Sequence, residues 1–179
     1  MRRAAMLLSF TSIVTIVAVM AWVIQPRVGV ADGREGREGR EGREEEGRVL
    51  EFGTMVGVSG PFKGAANAIR GIGGGGADWV IARGEGELST NGEIKVKVEG
   101  LVLVRTGANP VAQFKATVSC LSIDENGDPV TVNVDTALFP ADADGNSEIE
   151  DQVDLPTPCI APIIFVTVPA GRWIAATGS

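Results

Sequence analysis

The sequence lacks the residues on which several common catalytic and metal sites depend. Among its 179 residues there is no histidine and no tyrosine, and there are only 2 cysteines. Without histidine the chain cannot form a Ser-His-Asp or Cys-His nucleophile pair, and it cannot hold zinc or haem through imidazole. Two thiolates are too few for a four-thiolate metal site. We therefore assign no catalytic and no cofactor-binding residues from the sequence.

Positive charge is scarce in the C-terminal part of the chain. Residues 49–179 carry 8 basic and 16 acidic side chains, a net charge of −8. A surface that binds nucleic acid needs clustered Lys and Arg to neutralise phosphates, so this composition argues against a nucleic-acid partner. Glycine, by contrast, is abundant, with 24 residues in the chain, which indicates many turns and loops.

The N-terminal segment predicts export. Arg2 and Arg3 precede an uncharged run from Ala4 to Ile24, which as a helix would span roughly 31 Å, about one bilayer core. The small-residue run Gly29-Val30-Ala31 then approximates the cleavage site of a secretory signal peptide. The alternative is an uncleaved anchor, in which only residues 4–24 contact the membrane. Both interpretations place the rest of the chain outside the cytoplasm, either secreted or anchored on the outer side of the membrane.

A charged linker follows from Asp32 to Arg48. It repeats the triplet Gly-Arg-Glu and contains no apolar residue. Such a segment cannot bury enough apolar surface to offset the conformational entropy lost on ordering. We therefore predict three parts: a signal peptide or membrane anchor over residues 1–31, a disordered linker over 32–48, and one folded domain over 49–179.

Beyond the linker, apolar side chains alternate with polar ones, which is typical of β-strands with one buried face. The clearest example is Ile94, Val96 and Val98, which alternate with charged residues and follow the hairpin-turn pair Asn91-Gly92. The continuous apolar runs Leu101–Val104 and Ile160–Val168 predict strands covered on both faces.

About eight strands are expected from this patterning. They lie near residues 50–58, 79–82, 86–90, 93–104, 111–121, 130–136, 148–155 and 163–168, with a further strand over 172–177. This spacing predicts an all-β fold, an antiparallel β-sandwich or barrel, preceded by an apolar N-terminal helix and the disordered linker.

The two cysteines predict a disulfide. Cys120 ends an alternating strand, and Cys159 follows a proline-rich segment. Two cysteines in an exported chain most often pair. A bridge closing a loop of about 40 residues stabilises by roughly 4 kcal/mol in the chain-entropy account. A redox-active thiol would need a C-x-x-C motif or a nearby base, and the sequence offers neither.

The acidic segment 124–154 contains the best metal-binding candidate. Its oxygen-bearing candidate ligands are Asp142, Asp144, Asn146 and Glu148. The first three fall at positions one, three and five of an EF-hand-like calcium loop. Ser147 stands at position six, where glycine is needed, and Val153 stands at position twelve, where a bidentate Glu belongs. Two interpretations stay open: a solvated hairpin loop, or a weak extracellular calcium site.

The glycine run from Gly71 to Gly76 contains the pattern G-x-G-x-x-G. In a dinucleotide-binding site that pattern follows a strand and opens a helix, whose N-terminus meets the pyrophosphate. Here the next residues, Asp78-Trp79-Val80-Ile81, predict a strand instead. The run therefore predicts a flexible loop rather than a cofactor site.

Several short stretches between about residue 58 and residue 178 carry a resemblance to known sequences. They include Gly60-Pro61-Phe62, Arg70-Gly71-Ile72, Trp79-Val80-Ile81, Val118-Ser119-Cys120, Pro158-Cys159 and Trp173-Ile174-Ala175. With these stretches the chain is similar to a group of exported, uncharacterised bacterial proteins. The resemblance implies no activity and no site residues, and it is consistent with pairing of the two cysteines.

The sequence thus predicts an exported, non-enzymatic binding or structural β module at the cell surface or in the extracellular space. One alternative is an extracellular hydrolase that uses acidic residues, which two carboxylates about 5 to 10 Å apart in a pocket would favour. Another is a subunit of a surface assembly, with a protein partner or further copies of the chain. The apolar run Ile160–Val168 favours that alternative if its edge is open.

Overall fold

The strands of the C-terminal part form antiparallel sheets in a computed structural model, which describes residues 47–177. The predicted signal peptide or anchor and the predicted linker up to residue 46 lie outside the described residues. The strands are β1 (Arg48–Phe52), β2 (Met55–Gly57), β3 (Trp79–Val80), β4 (Arg83–Ser89), β5 (Glu93–Glu99), β6 (Val102–Leu103), β7 (Gln113–Ile123), β8 (Pro129–Asp135), β9 (Phe139–Pro140), β10 (Ser147–Gln152), β11 (Ile160–Thr167) and β12 (Trp173–Thr177).

Two main sheets account for most of these strands. The four-stranded sheet has the order β1-β4-β5-β10, and the six-stranded sheet has the order β2-β12-β11-β7-β8 with β9 also paired to β7. Strands β3 and β6 form a short separate pair. Neither main sheet closes on itself, so within residues 47–177 the sandwich-like alternative is confirmed and the barrel is wrong.

The described part of the chain contains a single helical turn, a 3₁₀ turn at Gly60–Phe62. No helix between residues 47 and 177 has the length and apolar character needed to cross a bilayer.

Alternating side chains build the core, as the sequence predicted. In β5, Ile94, Val96 and Val98 are each 1% exposed, while Lys95 and Lys97 between them are exposed. The inward residues of both main sheets join one cluster of buried side chains. Its largest fully buried members include Leu88, Ile94, Ile149, Phe114, Phe165 and Ile164.

The two continuous apolar runs have different outcomes. Strand β11 lies between β12 and β7, and its residues Phe165 and Val166 are fully buried. The sequence made the surface-assembly alternative depend on an open edge of this run. Strand β11 pairs with β7 from Ile160 to Thr167, and Phe165–Thr167 also pair with β12, so that condition is not met at Phe165–Thr167. The run Leu101–Val104 forms only the two-residue strand β6, and Val104 is 60% exposed. The chain bends at Gly100, which directly follows β5. Its φ of +65° is incompatible with continuing the strand and is readily adopted by glycine.

The glycine run packs against the six-stranded sheet. Its dinucleotide motif leads into β3 rather than a helix, as predicted. The Gly75 amide donates to the Trp173 carbonyl at 2.8 Å, and the Trp173 amide donates to Gly73 at 3.1 Å. A Cβ on Gly74 would lie 2.1 Å from the Phe62 carbonyl oxygen. The segment is therefore a loop, as predicted, and it is held closely to the sheet.

Candidate functional site

The candidate calcium loop joins β9 to β10 as a turn that is closed by its own side chains. Asp142 Oδ1 accepts a hydrogen bond from the Asn146 amide at 2.8 Å, and Asp142 Oδ2 accepts one from Asn146 Nδ2 at 3.0 Å. Asn146 Oδ1 accepts from the Gly100 amide at 3.0 Å. Gly145 has a φ of +80°, and a Cβ there would lie 2.2 Å from the Leu101 carbonyl oxygen. Only glycine fits that position, so the turn sits tightly on Gly100–Leu101.

Of the four predicted ligands, the structure brings Asp142 and Asn146 together. Asp144 lies exposed in the turn, and Glu148 lies on β10 opposite Lys97. The hydrogen bond from the Asn146 amide, followed by that from its side chain, holds the pKa of Asp142 below its usual value near 3.8. Within residues 47–177 no group of three or more Asp, Glu or Cys side chains is placed to hold a metal ion. The calcium site stays a prediction.

A second candidate, which the sequence did not suggest, is a groove on the exposed face of the four-stranded sheet. Its volume is about 620 Å³. We call it the charged groove, after the side chains that line it: Glu51, Glu85, Glu87, Lys95, Lys97, Glu148 and Glu150. Carboxylates outnumber ammonium groups in this lining, so the groove is acidic overall.

Sheet register sets the order of charges in the groove. Lys97 on β5 lies opposite Glu85 on β4 and opposite Glu148 on β10. Two residues earlier on the same face of β5, Lys95 lies between Glu87 on β4 and Glu150 on β10. Neighbouring strands are about 4.8 Å apart, so each lysine has a carboxylate on both sides.

The lysines also form explicit ion pairs. Lys95 Nζ lies 3.8 Å from a Glu87 carboxylate oxygen, and Lys97 Nζ lies 3.0 Å from Glu99. The hydrogen bond with Glu99 and its charge raise the pKa of Lys97. All four side chains of these pairs are more than 40% exposed. Such exposed pairs contribute little to stability, so they can be exchanged for the charges of a partner at small cost.

The alternating charges of Glu93–Glu99 and Glu148–Glu150 could have suggested a polar sheet face. They could not show that the two segments are neighbours, because residues 100–147 separate them in the chain.

The predicted disulfide is confirmed. Cys120 and Cys159 are bonded, with Cα atoms 4.9 Å apart. Cys120 is fully buried in β7, whereas Cys159 is half-buried and lines a groove of about 450 Å³ beside Leu155 and Pro156. The bridge therefore links the core of the six-stranded sheet to the segment that leads into β11.

No relative assigns a site to this protein. Comparison with protein-family models, with curated proteins and with solved structures found no match to the chain. The resemblance to exported bacterial proteins stays a prediction. Function is therefore inferred from the geometry of the described residues.

Proposed function

We propose that the protein is a non-enzymatic binding or structural module that acts outside the cytoplasm. The observation that carries this proposal is the Cys120–Cys159 bridge in a sandwich-like β domain. Disulfides form and persist in oxidising compartments and are rare in the cytosol. The N-terminal sequence, with Arg2 and Arg3 before a long uncharged run, supports the same location.

The charged groove is the proposed binding surface, and a positively charged peptide segment is the proposed class of ligand. Glu85 and Glu148 flank the groove on opposite sides of β5. Ammonium or guanidinium groups of a partner would pair with these carboxylates, replacing at Glu85 the ion pair with Arg83, whose nitrogen lies 2.7 Å from the carboxylate. The aromatic residue in the lining, Phe52, is only 8% exposed. Recognition by charge is therefore better supported than stacking on a sugar ring.

Calorimetric titration with a lysine-rich peptide tests this surface. The double variant Glu85→Gln/Glu148→Gln should bind about tenfold more weakly, since each lost exposed ion pair contributes up to about 1 kcal/mol. The control Glu125→Gln/Asp128→Asn removes the same charge from the β7–β8 turn and should bind like the wild type. If both double variants lose the same affinity, the peptide binds through the overall negative charge of the protein, and the assignment of the groove is overturned.

Mass spectrometry of the native protein tests the location. Reduction of the disulfide should raise the mass by two hydrogen atoms, which a comparison with and without reductant detects. The same spectrum shows from the total mass whether the N-terminal segment has been removed. We expect an oxidised protein in the extracytoplasmic fraction. Recovery of the chain from the cytosol with both thiols free would overturn the proposal.

A hydrolase that uses acidic residues is the second candidate. Glu85 and Glu148 lie on strands either side of β5, which places their backbones about 10 Å apart. Inverting glycosidases hold two carboxyl groups about 6.5 to 9.5 Å apart. Lys97 lies between the two glutamates, where a substrate would have to bind, which favours the non-enzymatic proposal. Glycoside hydrolysis that is lost in Glu85→Gln would reverse this preference.

A further inference from the structure

The longest strand at an edge of the two main sheets, within the described residues, is β8 with 7 residues. It pairs with β7 along one side, from Thr117↔Asp135 to Ile123↔Pro129. Its other side is the end of the six-stranded sheet. An edge of this length presents unpaired backbone groups that can bind a further strand.

The hydrogen-bond pattern identifies which backbone groups face outward. Next to β8, the Thr136 amide donates to the Ala116 carbonyl at 2.9 Å, and the Asp124 amide donates to Asp128 at 2.9 Å. In an antiparallel pair, residues alternate between bonding to the partner strand and pointing away from it. Val130, Val132 and Val134 therefore bond to β7. The outward groups belong to the odd-numbered residues: Pro129, Thr131, Asn133 and Asp135.

Natural edge strands are often protected by lysines, bulges or inward charges, and β8 has few such features. Its pairing with β7 shows no register shift. Its one charged side chain, Asp135, is bound on its own molecule by Lys115 and by the Thr117 hydroxyl. Pro129 stands only at the start of the strand.

Apolar surface adjoins this edge. Leu121, Ile123 and Ile160 are 42%, 53% and 54% exposed. Leu121 and Ile123 lie on β7 opposite residues of β8, and Ile160 is the partner of Leu121 in β11. Val130 and Val132 are only half-buried and lie outside the core cluster that Val134 contacts. Association along the edge would remove part of the Val130 and Val132 side chains from water, because these residues belong to β8 itself.

We propose that β8 pairs antiparallel with β8 of a second copy of this chain, forming a symmetric dimer. A two-fold axis at Val132 places Thr131 opposite Asn133 of the other copy, so that outward amides face outward carbonyls. The same register places Asp135 opposite Pro129 rather than opposite another carboxylate. The strand is thus complementary to itself in backbone pattern and in charge. This proposal does not depend on the ligand of the charged groove.

Two properties of the dimer follow. One strand pair with its flanking side chains buries an area at the low end for specific interfaces, below about 1,200 Å². The dimer is therefore weak and concentration-dependent. Because residues 49–179 have a net charge of −8, the two copies repel at low salt, and moderate salt should strengthen the dimer.

Residue-resolved hydrogen exchange on the full chain, with its disulfide intact, tests the pairing directly. The amides of Thr131, Asn133 and Asp135 should exchange about tenfold more slowly when free protein is at ten times the dissociation constant than when it is far below that constant. The amides of Val130, Val132 and Val134 bond to β7 and should be protected at every concentration. Fast exchange of the odd-numbered amides at all concentrations would overturn the proposal.

A matched pair of variants tests the same edge by sedimentation. Thr131→Pro removes an outward amide without removing a bond to β7, and it should weaken the dimer at least tenfold while the protein stays folded. Thr131→Ala keeps the amide and should dimerise like the wild type. A wild-type protein that stays monomeric up to millimolar concentration, or a Thr131→Pro variant that dimerises normally, contradicts the β8 interface.

Discussion

The guanidinium of Arg70 donates a hydrogen bond of 2.8 Å to the carbonyl oxygen of Ser119 in β7. Its second terminal nitrogen donates to the carbonyl of Ala161 in β11 at 2.6 Å. The register between these two strands shifts between Ile160 and Ile163, and Ala161 has a φ of +45°. Arg70 thus binds carbonyls at an irregular site in the sheet, beside Cys120. It also fixes the start of the glycine run there.

Replacing Arg70 should therefore destabilise the fold. Arg70→Ala removes two charge-assisted hydrogen bonds, and we expect the free energy of unfolding to fall by about 2 kcal/mol. Arg105→Ala is the control, because Arg105 carries the same charge in an exposed position; its effect should stay within about 0.5 kcal/mol. Urea unfolding measures both. If the two variants are equally stable, Arg70 does not hold the loop to the sheet.

The disulfide should be a major source of stability. The bridge joins residues 39 positions apart, and its removal should lower the melting temperature by roughly 10 to 20 °C, from about 4 kcal/mol of lost constraint on the unfolded chain. Cys120→Ser/Cys159→Ser should melt like the reduced wild type. An oxidised protein whose melting temperature does not change on reduction would contradict this expectation.

The glycine run offers a test of close packing within one short segment. Gly74→Ala would place a Cβ against the backbone oxygen of Phe62, so the loop must shift, and we expect a loss of about 1 to 3 kcal/mol. Gly76→Ala is the control, because a Cβ there meets nothing within 4 Å. Its effect should be within about 0.5 kcal/mol. Thermal unfolding of the two variants separates a packed segment from a flexible one.

Most of the features that the sequence predicted correctly depend on neighbouring residues. The alternation of Ile94, Val96 and Val98 identified a strand with one buried face, and Asn91-Gly92 identified the turn between β4 and β5. In that turn Gly92 has a φ of +90°, which glycine adopts without strain. The disulfide was also predictable, because only two cysteines can pair.

The features that the sequence did not predict depend on residues far apart in the chain. The charged groove forms because Glu148 lies beside Lys97 in the sheet, and strand order is not encoded locally. The glycine run was expected to be a flexible loop, and its composition alone does not show that Gly74 packs against Phe62. Which strands have a free edge is likewise a property of the whole sheet: within residues 47–177 the two main sheets end at β1, β10, β2 and β8, whereas the more apolar β11 lies inside its sheet.

The acidic loop should respond only slightly to calcium. Both carboxylate oxygens of Asp142 and the side-chain oxygen of Asn146 already accept hydrogen bonds, which a calcium ion would have to replace. We expect the melting temperature to change by less than about 1 °C at about 10 mM calcium, where a millimolar site would give several degrees. A larger rise that disappears in Asp144→Asn would instead support the calcium site.

The same loop, together with the β7–β8 turn that contains Asp124, should make stability sensitive to acid. The pKa of Asp142 is lowered in the folded protein, chiefly by the Asn146 amide, and the pKa of Asp124 is lowered by the Asp128 amide. A group whose pKa is lower in the folded state stabilises the fold above its unfolded value near 3.8, and this contribution is lost as the pH falls through the lower folded value. Unfolding midpoints in urea should therefore drop below about pH 4.

The variant Asp142→Asn separates this loop from the other carboxylates. Its side chain keeps one oxygen for the Asn146 amide but cannot ionise, so the variant should start less stable at pH 6 and lose less stability on acidification than the wild type. Asp144→Asn removes a carboxylate from the same turn and should follow the wild-type curve. If the Asp142→Asn and wild-type curves run parallel from pH 6 to pH 2, the turn does not contribute to the acid sensitivity, and the closing hydrogen bonds of Asp142 do not depend on its charge.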